Sequence, residues 1–129
     1  MKFSVDKLAE LLKEKCPAVC FALLHGSAAN GEVRDGGDID IALFIDGKVS
    51  LEFYGEVADI VESLSPGVRC DVGILNSAEP VYRFEALKGK LLFTRDDETY
   101  LHFFSLTCRE YESQMADYER QRKYRLQYG

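Results

Sequence analysis

The eight residues Asp38-Ile39-Asp40-Ile41-Ala42-Leu43-Phe44-Ile45 alternate strictly, and this segment constrains the fold more than any other. A strand sends successive side chains to opposite faces. Ile39, Ile41, Leu43 and Ile45 therefore share one face, and Asp38, Asp40, Ala42 and Phe44 the other. A wholly aliphatic face must be covered by helices. A face that opens with two carboxylates must stay accessible at that end, because Asp is almost never buried unpaired.

The rest of the chain supplies the helices and the other strands. Ser4 is placed to cap a first helix whose apolar face is Val5, Leu8, Leu11 and Leu12, and Pro17 ends it. Ala18 to Leu24 is a short apolar run and reads as a buried strand. Residues 25–37, HGSAANGEVRDGG, read as a polar loop with a short helix beginning at Ser27. Ser50 is placed to cap a second helix with Leu51, Tyr54, Val57, Ala58, Val61 and Leu64 on one side, and Pro66-Gly67 breaks it. In the next strand, Val68 to Leu75, the residues Val68, Cys70, Val72 and Ile74 face inward, and Arg69, Asp71 and Gly73 face the other way. A short helix is expected over 78–87, a last strand over 90–94 and a long helix over about 97–125. The fold class is α/β (α+β): a single mixed sheet, or palm, with helices on one face and a long C-terminal helix. All of residues 1–129 form one domain, with the palm at about 18–95.

Charge and cysteine content narrow the function. Sixteen basic residues against 22 acidic ones give a net charge of −6, which argues against direct nucleic-acid binding. It does not oppose a nucleotide whose phosphates are accompanied by metal ions. The longest apolar run, Ala18 to Leu24, is far short of the roughly 18 residues a membrane span needs. The start MKFSVDKLAE lacks the apolar core of an export signal, so a cytoplasmic location is expected. The four cysteines, Cys16, Cys20, Cys70 and Cys108, then read as free thiols. The CxxxC of Cys16 and Cys20 has no second Cys or His pair to complete a zinc site.

Three features carry chemistry: Gly26-Ser27 after a buried strand, Asp38-x-Asp40 opening the next, and Asp71 inside a later one. Residues i and i+2 of a strand share a face roughly 6.5–7 Å apart, where two carboxylates repel unless a cation lies between them. All-oxygen donors suit a hard ion such as Mg²⁺. If its strand pairs alongside, Asp71 adds a third carboxylate, and two ions about 3.5–4 Å apart can then clamp the oxygens of a phosphoryl transfer. Gly26 permits a sharp turn and close approach to a ligand, and Ser27 is placed to meet a phosphate. Ser27 is expected to position phosphates rather than to attack, since no His–Asp pair flanks it. His25 is expected to be packed and hydrogen-bonded, with a phosphate contact as the other reading. Arg69 shares the face of Asp71 and could balance its charge or meet a substrate. A lone DxD most often marks a solvated strand end. Gly-Ser, ten residues, then Asp-x-Asp arises by chance on the order of once in a thousand such chains.

GSAANGEVRDGGDIDIAL resembles the signature of the DNA polymerase β-like nucleotidyltransferases, Gly-Ser, about ten residues and DxD, and most of all that of the minimal nucleotidyltransferases. The resemblance covers about residues 18–95. It implies that Gly26 and Ser27 bind the nucleotide's phosphates, that Asp38 and Asp40 ligate two Mg²⁺, and that Asp71 completes the metal and catalytic set. The chain departs from the pattern at Asn30, where the family often carries Arg, and at Gly37, where it often carries Ser. The resemblance further implies ATP as substrate and a neighbouring HEPN-type toxin as partner. The chain would then be an antitoxin that transfers AMP to a toxin tyrosine, in a hetero-oligomer.

Two other functions stay open at this point. One is a small-molecule nucleotidyltransferase of the antibiotic-modifying kind. The other is a binding antitoxin that does not catalyse. The last helix bears on the choice. Leu101, Phe104, Cys108, Tyr111, Met115 and Tyr118 follow a heptad spacing. Leu101 and Phe104 are expected to pack on the palm, and the distal seam around Tyr111, Met115 and Tyr118 to meet a partner. The RQRKYR stretch near the end complements the helix dipole or contacts an acidic partner or nucleotide.

Overall fold

A computed structural model of the chain describes residues 1–128. The elements run α1 (Val5–Lys15), β1 (Val19–His25), β2 (Asp38–Ile45), α2 (Glu52–Leu64), β3 (Arg69–Ile74), α3 (Pro80–Leu87), β4 (Lys90–Thr94) and α4 (Asp97–Tyr128). The sheet order is β3-β2-β1-β4, with β2 and β3 parallel and the other pairs antiparallel. This is the single mixed sheet expected, but helices cover both of its faces and not one, because β1 and β2 carry apolar side chains on each side. Among the described residues, no helix is long and apolar enough to cross a membrane.

Local chemistry sets most boundaries. Ser4 caps α1, its hydroxyl accepting from the Lys7 N–H at 3.1 Å. At the other end, Arg95 donates to the carbonyls of Lys13, Cys16 and Val19, tying the end of α1 to the start of β1. Ser50 does not cap α2. Leu51 holds the cap position with no side-chain bond, and the Ser50 carbonyl instead takes the Phe53 N–H. The expected helix at Ser27 is only one 3-10 turn, Gly26–Ala28. A second such turn, Leu75–Ser77, delays α3 to Pro80, whose missing N–H suits a first helical position.

The sheet has a core on each face. On one, α1 and α2 cover Ile39, Ile41, Leu43 and Ile45 together with Ala22 and Leu24. On the other, α3 and the first turns of α4 cover Phe21, Leu23 and Ala42, with Phe44 packed alongside. Phe21 stacks on Phe44 with centroids 5.0 Å apart, and Phe103 of α4 meets both edge-on. Such pairs contribute about 0.5–1.5 kcal/mol each beyond the area they bury. Central β1 is covered on both faces, which explains its unbroken apolar run. At the Asp38 end of β2 the acidic face lies beyond this cover.

Two expectations for α4 are corrected. Leu101 and Phe104 do not pack on the palm; they are 61% and 42% exposed. The inward stripe is Tyr100, Phe103 and Thr107, followed by Glu110, which pairs with the nearly buried Arg83 of α3 at 2.6 Å. Tyr111 stacks flat on Phe84 of α3 at 3.9 Å, so it too belongs to the domain. The helix runs on to Tyr128, and every residue from 116 to 128 is exposed.

Candidate active site

The parallel register of β2 and β3 places Asp40 directly opposite Asp71, and the antiparallel register of β1 places His25 opposite Asp40 from the other side. His25, Asp40 and Asp71 thus form a row across three strands. Asp38 lies one step along the same face, opposite Arg69. Neighbours in such a row have Cβ atoms about 4.5–5.5 Å apart. The register is pinned from beyond β3. Asn76 accepts from the Ile45 N–H at 2.9 Å and donates to the Ile45 carbonyl at 2.7 Å, fixing the end of β3 to the end of β2.

The row is electrostatically crowded. The carboxyl of Asp40 is held above the usual Asp range, first by burial and then by the nearby charges of Asp71 and Asp38, with His25 opposing. Asp40 and Asp71 are directly paired across β2 and β3. Two carboxylates that close are stable together only by sharing a proton or a cation. Below them, burial and the same three carboxylates push the Cys70 thiol up to about 12. The donor set is all carboxylate oxygen on rigid strands, which fits a hard divalent ion such as Mg²⁺. Asp38, Asp40 and Asp71 would hold it. As placed, however, no group of three or more His, Cys, Asp or Glu among the described residues is arranged to hold an ion. Asp38 is instead turned to Arg69, whose Nη2 is 3.4 Å from Asp38 Oδ2 and 3.9 Å from Asp71 Oδ2.

Gly26 joins this row to the turn that follows β1. Its φ is +74°, and a Cβ there would lie 2.3 Å from Asp40 Oδ2, so Asp40 rests against the Gly26 backbone. Ser27 is exposed beside it. With only one 3-10 turn, a phosphate here would meet backbone N–H groups and the Ser27 hydroxyl rather than a long helix dipole. Gly26→Ala is expected to destabilise the fold by about 1–3 kcal/mol through backbone strain, and also to displace Asp40. Gly36→Ala is the internal control. Gly36 has φ +76° but open space around it, so it carries the strain alone. Urea unfolding should show both costs, whereas nucleotide titration should weaken for Gly26→Ala only.

Tyr82 joins the row without a motif in the sequence to mark it. Tyr82 of α3 lies across β3 so closely that a Cβ on Gly73 would fall 1.8 Å from its hydroxyl. A glycine two residues past Asp71 on the same face is the one sequence sign of such an approach. Tyr82 and His25 Nε2 are 3.3 Å apart, with rings edge-on. Burial lowers the His25 pKa despite Asp40, and its Nε2 shares a hydrogen bond with the Tyr82 hydroxyl. His25 is thus the packed histidine expected. The two departures have local roles as well. Asn30 Oδ1 accepts from the Glu32 N–H at 3.1 Å, and the Gly37 N–H closes a turn on the Arg34 carbonyl at 2.8 Å. A cavity of about 350 Å³ opens beside the row, lined in part by Arg34, Gly37, Asp38 and Arg69. The larger cavity, about 470 Å³, lies at the opposite end of the sheet around Cys20, Asp46 and Arg95, away from the carboxylates.

Over residues 6–98 the chain matches the family described as polymerase beta, nucleotidyltransferase. None of the curated proteins matches it. Solved structures with the same fold include a mutant of the toxin–antitoxin MntA–HpeT, at TM-score 0.75 and 22% identity over 95% of this chain and 98% of that one. A toxin–antitoxin crystal structure with AMP-PNP superposes at TM-score 0.73 and 22% identity, with the same coverage. A tri-AMPylated Shewanella oneidensis HEPN toxin in complex with MNT antitoxin superposes at 0.69 and 21% identity over 95% of each chain.

Proposed function

Because the chain belongs to the polymerase β nucleotidyltransferase family, we propose that it transfers AMP from ATP to a tyrosine hydroxyl of a HEPN-type toxin and so acts as that toxin's antitoxin. The observation that carries this reading is the direct pairing of Asp40 with Asp71 across β2 and β3, against the Gly26-Ser27 turn. The AMP-PNP complex and the AMPylated toxin among the structural relatives support the choice of nucleotide, group and partner.

Each residue then has a chemical task. Asp38, Asp40 and Asp71 would hold Mg²⁺, two ions in this reading, which would neutralise phosphate charge and align the reacting oxygens. Gly26 and Ser27 hold the outer phosphates of ATP. The acceptor oxygen forms a bond to the α-phosphorus, and the bond from that phosphorus to pyrophosphate breaks. Asp71, on the accessible edge strand, takes the acceptor's proton. Pyrophosphate leaves with the electron pair. The free thiols fit a cytoplasmic site of action.

Among the described residues, the palm has an open acidic corner and no element that closes over it to orient a free acceptor. Orientation contributes several kcal/mol, up to about 7–11 in favourable cases, and a docked protein would supply it. The test is labelled ATP with the purified chain, with and without the protein encoded by its genomic neighbour. Label on a tyrosine of that neighbour is the expected result. Transfer to an aminoglycoside or another small alcohol, with none to the neighbour, would replace this reading with the small-molecule one.

A further inference from the structure

We propose that Arg69 is an exchangeable internal counter-ion: it occupies the Asp38 and Asp71 carboxylates while no divalent cation is bound, and so makes cation binding depend on the nucleotide. This rests on the reading of the carboxylate row as a Mg²⁺–ATP site.

The geometry is specific. One guanidinium nitrogen lies within ion-pair distance of two carboxylates on neighbouring strands, at 3.4 and 3.9 Å. Among the described residues, Arg69 is the one basic side chain so paired with either of them. The Asp38 oxygen it holds is one that a cation at this row would need. A planar guanidinium can span two carboxylates, but it cannot take the octahedral oxygens of a small ion. The two therefore compete for the same oxygens. A bare cation must displace Arg69 and gains no new partner for it. A nucleoside triphosphate arriving with its cation brings phosphates to which the freed guanidinium can turn. Arg69 has room to do so. Its side chain is 76% exposed, on the edge strand β3, and borders the cavity shared with Arg34.

The experiment is Mn²⁺ binding to the full chain by electron paramagnetic resonance, with and without a non-hydrolysable ATP analogue. Arg69→Gln removes the competitor at an exposed position and leaves the fold untouched. It should tighten Mn²⁺ binding without nucleotide by about three- to fivefold, the range expected on removing an exposed ion pair. The gap should close when the analogue is present and shrink at high salt. Unchanged binding in Arg69→Gln would overturn the proposal. So would equal tightening by Arg34→Gln, since that would reflect the general field and not a specific counter-ion. If neither parent nor variant binds Mn²⁺ even with the analogue, it is the underlying site reading that fails.

Discussion

Asp38→Asn combined with Asp40→Asn should lower AMP transfer by about a thousandfold or more, the loss typical of removing a charge arranged for a phosphoryl or acyl transition state. Asn keeps the shape of Asp and can still accept a hydrogen bond, so the β2 ladder and the contact with Gly26 survive. What goes is the negative charge that balances the cations. Stability should move the other way. The folded chain holds the Asp40 proton more tightly than the unfolded chain does, because burial and two neighbouring carboxylates raise its pKa. The cation-free parent therefore loses stability as pH rises from the ordinary Asp range through that raised value. The variant has no carboxyl to ionise at position 40 and escapes the loss. Above that window its melting temperature without cations should match or exceed the parent's. Label transfer and thermal unfolding on the same preparations check both halves. Undiminished transfer would remove the carboxylates from the mechanism. Neutralisation of the partner with transfer abolished would favour the binding antitoxin.

The parts of this site legible in the sequence are those governed by period two. Strict alternation in 38–45 places both aspartates on one face, and alternation around Cys70 and Val72 places Asp71 on the outward face of its own strand. The strand that Asp71 would join was not legible in this way. Its position opposite Asp40 depends on a parallel register fixed by Asn76, a polar residue past the strand's end whose partner lies 31 positions away. Tyr82 was hidden for the same reason. Its place over Gly73 depends on how α3 returns across the sheet.

The misreading of α4 has a different cause. A heptad of apolar residues points to one stripe, but this helix packs through Phe103, Thr107 and Glu110, two of them polar. Glu110 faces inward because Arg83, nearly buried on α3, needs a charge partner. Leu101 and Phe104 are left outside as a result.

That corrected register decides where the chain can be cut. Deleting it from Ala116 onward should leave nucleotide binding and thermal stability unchanged but lower capture and modification of the partner by about thirtyfold or more, the scale of losing one aromatic hot spot. A cut before Tyr111 would be uninformative, since it removes the stack on Phe84 and frays the helix beside Glu110. The 32 residues of α4 span about 48 Å, whereas the eight of β2, the longest strand, reach about 26 Å. Every residue of the surplus from 116 to 128 is exposed, and exposed helix of that length is marginal in water. Its support is local: the ion pairs Asp117 with Arg120 and Glu119 with Arg122, the Gln114 amide donating to the Tyr118 hydroxyl, and the Tyr124 ring against Tyr128. Yet it carries Tyr118, Tyr124, Leu126 and Tyr128 in the open, beside the bases of RQRKYR. Four large apolar side chains held out on a solvated helix fit an interface with a second protein. Pull-down and labelling of the genomic neighbour with the full and shortened chains decide it. A shortened chain that captures and modifies the neighbour as well as the full one does would place the docking surface on the palm instead.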